Sequence, residues 1–157
     1  VKPSPNLPNE TAVYNYPSIC FFEGTDVSVG RGTYAPFQAV GSPDITIKDF
    51  SFTPKSLPGA KMPPHINREC YGFDLRKVSL TVPGIQLSYL LKAYAAFNNK
   101  EKFFLPNNFF DKLAGTDELR KQIIAGKTEA EIKASWKAEL DAYKAMRKKY
   151  LLYKDFE

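Results

Sequence analysis

Proline sets the layout of this chain. Eleven of its twelve prolines and seven of its nine glycines fall in residues 1–87. Proline fixes φ, removes a backbone donor and pushes the preceding residue out of the helical region, so a segment this rich in it reads as loops and short strands. Residues 88–157 contain only Pro106 and read as helices. At 157 residues the chain suits one domain. The expected fold is α+β over 1–157: a small mixed sheet with long loops in the first half, then a helical layer.

Residues 1–15, spaced by Pro3, Pro5 and Pro8, read as an extended interdomain segment, and Val1 reads as the cut end of something longer. Ser18, after Pro17, is placed to cap a short helix reaching Glu23. Pro36–Val40 and Ile45–Phe52 read as strands. The apolar alternation of the second shifts from Ile45 and Ile47 to Phe50 and Phe52, which suggests a bulge near Asp49. Lys55–Pro64, with three prolines and Gly59, is a loop. Cys70–Leu75 alternates again, and Val78–Val82 extends it.

The helical half carries clearer signals. Ile85–Phe97 has apolar residues near helical spacing. Asn107–Leu113 reads as a short aromatic helix ended by Gly115. Thr116–Ala125 reads as a helix closed by Gly126. Thr128 to Glu131 is a capping box. The long helix after it aligns Ile132, Trp136, Leu140 and Tyr143 as a core stripe, and its basic end at Arg147–Lys149 suits the helix dipole.

Several function classes are disfavoured. The net charge of +5 is spread among interleaved acids, and no basic run is long enough to track a phosphate backbone, so nucleic acid is not expected. No stretch reaches the roughly 18 apolar residues of a membrane span. Cys20 and Cys70, fifty residues apart with a single His65, lack zinc-ligand spacing. They read as two buried thiols, with a disulfide as the other possibility. No metal and no cofactor is expected.

The loop Glu23–Thr33, EGTDVSVGRGT, carries the most chemistry. Gly30 and Gly32 flank Arg31 and allow positive φ on both sides of it, a geometry that can turn the arginine into a cleft. A partly buried arginine needs a carboxylate, and Glu23 or Asp26 is near enough in sequence to supply one. Two readings stay open: a loop tied down by its own ion pair, or a ligand-facing loop. It is not a P-loop, because no Gly-Lys-Ser/Thr follows.

Tyr16 to Thr25, then Val29-Gly30-Arg31-Gly32-Thr33 and Pro36-Phe37, resembles the signature of NamZ-type peptidoglycan exo-β-N-acetylmuramidases, long catalogued as a domain of unknown function. Ser4-Pro5-Asn6-Leu7-Pro8, Phe52-Thr53-Pro54, Cys70-Tyr71-Gly72 and the close from Gly126 through Trp136 to Tyr153 are similar to further blocks in the same order. Many members carry a helix between the equivalents of Pro43 and Phe52 that is missing here.

The resemblance implies a carboxy-terminal domain whose amino-terminal Rossmann-like partner is not in this sequence. It also implies a glycosidase site in the cleft between the two, acting on muramic acid glycans from peptidoglycan in an exported, periplasmic or envelope setting. Glycoside hydrolysis uses two carboxyl groups flanking the scissile bond. The main one is expected on the partner domain, with Glu23 as the local catalytic or assisting carboxylate. Arg31 is expected to pair with the lactyl carboxylate, Asn6 and Thr25 to bond sugar hydroxyls, and His65 either to face the ligand or to serve as a hydrogen-bonded structural histidine. This chain alone is expected to be inactive. The rival readings are a non-catalytic cell-wall glycan-binding module and an interaction domain.

Overall fold

The computed structural model describes residues 4–78 and 84–155. The expected strand over Val78–Val82 falls, beyond Val78, outside them.

Asn9 starts the first helix. Its backbone is extended and its Oδ1 accepts from Ala12 N at 3.0 Å, satisfying one donor that a first turn leaves unpaired. Helix α1 therefore spans Glu10–Ile19, where extended chain was expected through residue 15 and a helix only from Ser18. Pro17 lies inside α1, on its exposed side with Val13 and Tyr16, where water can serve the carbonyl that proline leaves without a donor. Ser18 is no cap: it is buried, and its Oγ accepts from Gln86 N at 2.9 Å. The chain then tightens into a 3-10 turn at Cys20–Gly24.

Three strands, β1 (Ala39–Ser42), β2 (Ser51–Phe52) and β3 (Cys70–Asp74), form one sheet in the order β1-β3-β2. Both pairings are antiparallel, so the sheet is not mixed. Gly41 opposes Gly72, and a Cβ on Gly72 would sit 2.2 Å from Val40 O, so this close crossing needs glycine. Two strand expectations are shortened. Pro36–Gln38 is a turn, because Phe37 adopts φ 57°. Residues 43–49 leave the sheet: Asp44 N donates to Ser42 Oγ, Thr46 N donates to Ala96 O and Asn98 N donates to Asp44 O, which ties the segment to the end of the next helix. No bulge forms at Asp49; Ile45 instead bridges Phe97.

Helices α2 (Ser88–Ala96), α3 (Phe109–Ala114), α4 (Glu118–Ile124) and α5 (Glu129–Arg147) follow. α2 starts three residues later than its apolar spacing suggests, and its start is fixed from outside: Leu87 N donates to Glu129 Oε1 at 3.0 Å. Gly115 and Gly126 close α3 and α4 with positive φ. The Thr128–Glu131 capping box forms in full. The α5 stripe is core only at first. Ile132 is buried and Trp136 half-buried, but Leu140 and Tyr143 are exposed, because α5 outruns the layer beneath it.

The core is largely aromatic. Phe22, Phe37, Phe103 and Phe110 are fully buried, and Phe103, Phe104 and Phe110 meet edge-on at 4.8–5.0 Å, a geometry that ring quadrupoles favour. Cys20 and Cys70 are free thiols. Burial pushes the Cys70 thiol up to about 12. No helix among the described residues is long and apolar enough to cross a membrane.

Candidate functional site

The Glu23–Thr33 loop is held by the backbone at both ends. Asp26 N donates to Phe103 O, Ser28 and Gly41 exchange two bonds, and Phe37 N donates to Val29 O. Between these anchors Gly30 and Gly32 take φ 78° and 77°. The turn is pinned from outside as well: Lys55 N donates to Gly32 O at 2.8 Å. A Cβ on Gly32 would sit 2.5 Å from both Lys55 O and the Pro63 ring. Glycine is therefore needed at position 32 for conformation and for space.

This turn directs Arg31 back along the loop. Its Nε and Nη2 both donate to Glu23 Oε1, at 3.0 and 2.7 Å. The guanidinium carbon stands 5.1 Å from the centre of the Phe37 ring, a cation–π contact. The two side chains remain 31% and 24% exposed. Of the two carboxylates within reach in sequence, the arginine takes Glu23.

Asp26 has another partner. His65 Nε2 lies 3.1 Å from Asp26 O and 3.4 Å from its Oδ1. The His65 side chain is only 6% exposed and its backbone holds φ 56°. His65 thus braces the loop from beneath, the hydrogen-bonded structural role that the sequence left open beside a ligand-facing one. Burial raises the Asp26 carboxyl above its ordinary range; His65 opposes that shift, Asp44 adds to it, and Arg68 and Lys102 oppose it more weakly.

The other two sequence candidates separate. Asn6 Nδ2 donates to Gly59 O at 3.2 Å, so Asn6 reaches the same proline-rich segment that carries Lys55, Pro63 and His65. Thr25 is buried and its Oγ1 donates to Phe22 O at 2.7 Å, which commits the hydroxyl to the loop's own backbone. Glu23, Arg31, Asn6 and His65 are thus joined through residues 54–67, and Thr25 supports them from inside. Sequence reasoning missed Phe37 as the ring under Arg31 and the Asp26–His65 brace. The brace has no local signature, since it spans 39 positions, and the ring is set under Arg31 by a positive φ at Phe37 that no sequence pattern announces.

Two cavities, of about 260 and 370 Å³, open elsewhere, one beside Trp136 and Leu119 and the other beside Phe104 and Arg120; neither is lined by the loop. No cluster of three or more His, Cys, Asp or Glu suited to a metal occurs among the described residues.

A sequence-family model described as exo-beta-N-acetylmuramidase NamZ, C-terminal, matches residues 14–153. The peptidoglycan beta-N-acetylmuramidase NamZ of Bacillus subtilis (strain 168) is 32% identical over 169 residues, covering 98% of this chain and 40% of that protein. The crystal structure of a DUF1343 family protein from Bacteroides fragilis superposes with a TM-score of 0.91 at 52% identity, over 98% of this chain and 44% of that one. The chain therefore spans less than half the length of either relative.

Proposed function

This chain belongs to the family of NamZ C-terminal domains, and on that premise we propose that it forms one wall of the substrate cleft in a peptidoglycan glycosidase that removes terminal β-linked N-acetylmuramic acid. The observation that carries the reading is Arg31, turned by two glycines and locked onto one oxygen of Glu23 while still part-exposed. Its Nη1 and Glu23 Oε2 take no protein hydrogen bond among the described residues. A planar guanidinium fixed in this way is suited to a carboxylate, and muramic acid differs from its parent amino sugar by a lactyl carboxylate. Glu23 assists by holding Arg31, Asn6 offers an amide at the rim, and His65 acts through Asp26. The other wall and the main catalytic carboxyl belong to an amino-terminal Rossmann-like domain, in a protein exported to the envelope where its substrate lies. Fractionation that left the full-length protein in the cytosol would contradict that location.

Calorimetric titration of the chain with N-acetylmuramic acid tests the binding role. Wild type should bind and Arg31→Ala should lose most of the affinity; equal affinities would remove Arg31 from the site. The 157 residues alone should not release chromophore from an aryl muramic acid glycoside, and turnover would overturn the two-wall reading.

A non-catalytic glycan-binding module remains the second reading, and one observation favours it. Glu23 is committed to Arg31 through the two hydrogen bonds at its Oε1, which suits positioning better than proton transfer. Restoring turnover by adding the amino-terminal half, with loss on Glu23→Ala, would decide for the glycosidase.

A further inference from the structure

Phe37 is not glycine, yet it sits at φ 57°, a left-handed conformation that is strained for a bulky residue. Its surroundings enforce it. Phe37 N donates to Val29 O at 2.7 Å, and its carbonyl accepts from the buried Asn15 Nδ2 at 3.2 Å. The strained backbone places the Phe37 ring, itself 1% exposed, against two surface side chains. One is Arg31, at 5.1 Å. The other is Tyr16, whose ring centre lies 4.9 Å from that of Phe37 at 57°.

Tyr16 is 40% exposed at the end of α1, and its hydroxyl takes no protein hydrogen bond among the described residues. The Tyr16 ring is no farther from the guanidinium than these two spans laid end to end. An aromatic ring already braced by packing loses little freedom on meeting a ligand. Tyr34, three positions after Arg31 and 92% exposed, has no ring contact of this kind among the described residues and would lose more.

We infer that Tyr16 is the sugar-stacking residue of the Arg31 site, so that an N-acylated amino sugar is held at two points, its ring face on Tyr16 and its ether-linked carboxylate on Arg31. This inference rests on the function proposed above. The two contacts divide the work. Tyr16 binds any amino sugar of this shape, and Arg31 selects the one that carries a carboxylate. Phe37 keeps both in register, which accounts for a strained phenylalanine at its position.

Ligand-observed NMR titrations of the chain with N-acetylmuramic acid and N-acetylglucosamine test this, using wild type, Tyr16→Ala, Tyr16→Leu, Tyr16→Phe, Tyr34→Ala and Arg31→Ala. Tyr16→Ala should weaken both sugars by roughly three- to tenfold, the scale of one aromatic contact. Tyr16→Leu keeps apolar packing on Phe37 without an aromatic face and should show the same loss. Tyr16→Phe and Tyr34→Ala should stay within about twofold of wild type, as ring contact and pre-organisation require. Arg31→Ala should abolish only the preference for N-acetylmuramic acid. If both Tyr16→Ala and Tyr16→Leu bind like wild type while Arg31→Ala loses the preference, the stacking role is wrong and the Arg31 role stands. An unchanged preference in Arg31→Ala would overturn the Arg31 role alone, and no saturable binding of either sugar would overturn both.

Discussion

Arg31 gives two hydrogen bonds, from Nε and Nη2, to a single oxygen of Glu23 at 3.0 and 2.7 Å. The pair is one-sided, so each partner keeps bonding capacity facing outward. An ion pair built only for stability would more often use the fork-to-fork arrangement that satisfies both oxygens, as Arg120 and Asp111 do in the helical layer. The contrast between these two arginines is the physical basis for treating the loop as a binding surface.

Glu23→Gln should therefore separate stability from binding. Partly exposed ion pairs contribute about 1 kcal/mol or less, so thermal unfolding should move little. Affinity for N-acetylmuramic acid should fall several-fold because Arg31 is no longer anchored. Calorimetry on the same preparation reads both quantities. A large stability loss with unchanged affinity would make the pair structural.

Gly32→Ala tests the turn that aims Arg31. The new methyl would meet Lys55 O and Pro63 at 2.5 Å with φ at 77°. The expected cost exceeds about 1 kcal/mol, above that of an ordinary surface substitution, and sugar affinity should drop with it. Urea denaturation gives the first value. A neutral result would mean that residues 54–67 move away easily and do not hold the loop.

Asp26 gives a pH dependence whose sign follows from its environment. Burial raises its carboxyl above the ordinary 3.8, so folding favours the protonated form. That contribution is full below the unfolded value and is lost as pH rises through the folded one. Asp44, His65, Arg68 and Lys102 face the same carboxyl and remain in both proteins when wild type is compared with Asp26→Asn. The variant should gain stability relative to wild type between pH 3 and pH 7. Denaturation curves at the two pH values decide the matter; a relative loss at pH 7 would show that the contact with His65 outweighs burial.

Glu129 is the remote cap of α2. Glu129→Ala removes the acceptor for Leu87 N and the 2.7 Å contact with Lys133. A stability loss of about 1 kcal/mol is expected, the usual scale for a lost helix cap. Amide exchange should speed up in the first turn of α2 more than in α3 or α4. Uniform acceleration would point instead to a general loosening.

The helices closed by their own neighbours were legible in the sequence. Thr128, Glu131, Gly115 and Gly126 act within a few positions of themselves, and α3, α4 and α5 lie close to where those residues put them. Elements whose ends are set from afar were misread. α2 is capped by a residue 42 positions away. α1 was obscured by Pro17, which the helix tolerates on its exposed side, and Ile45 and Thr46 serve the end of α2 instead of a strand. The site divides in the same way. The Gly-Arg-Gly turn and the Glu23 pair could be read locally, whereas the Tyr16 contact with Phe37 and the Asp26–His65 brace exist only once distant segments meet; the Phe37 ring is near Arg31 in sequence, but its place under the guanidinium depends on the positive φ at Phe37.

The central claim is that Arg31 receives a sugar carboxylate, and the Nε–H signal of Arg31 in a nitrogen-resolved NMR spectrum reads that group itself. Adding N-acetylmuramic acid should shift this signal in a saturable way, while N-acetylglucosamine, which lacks the lactyl carboxylate, should leave it nearly in place. Equal shifts with both sugars, or none with either, would contradict the account.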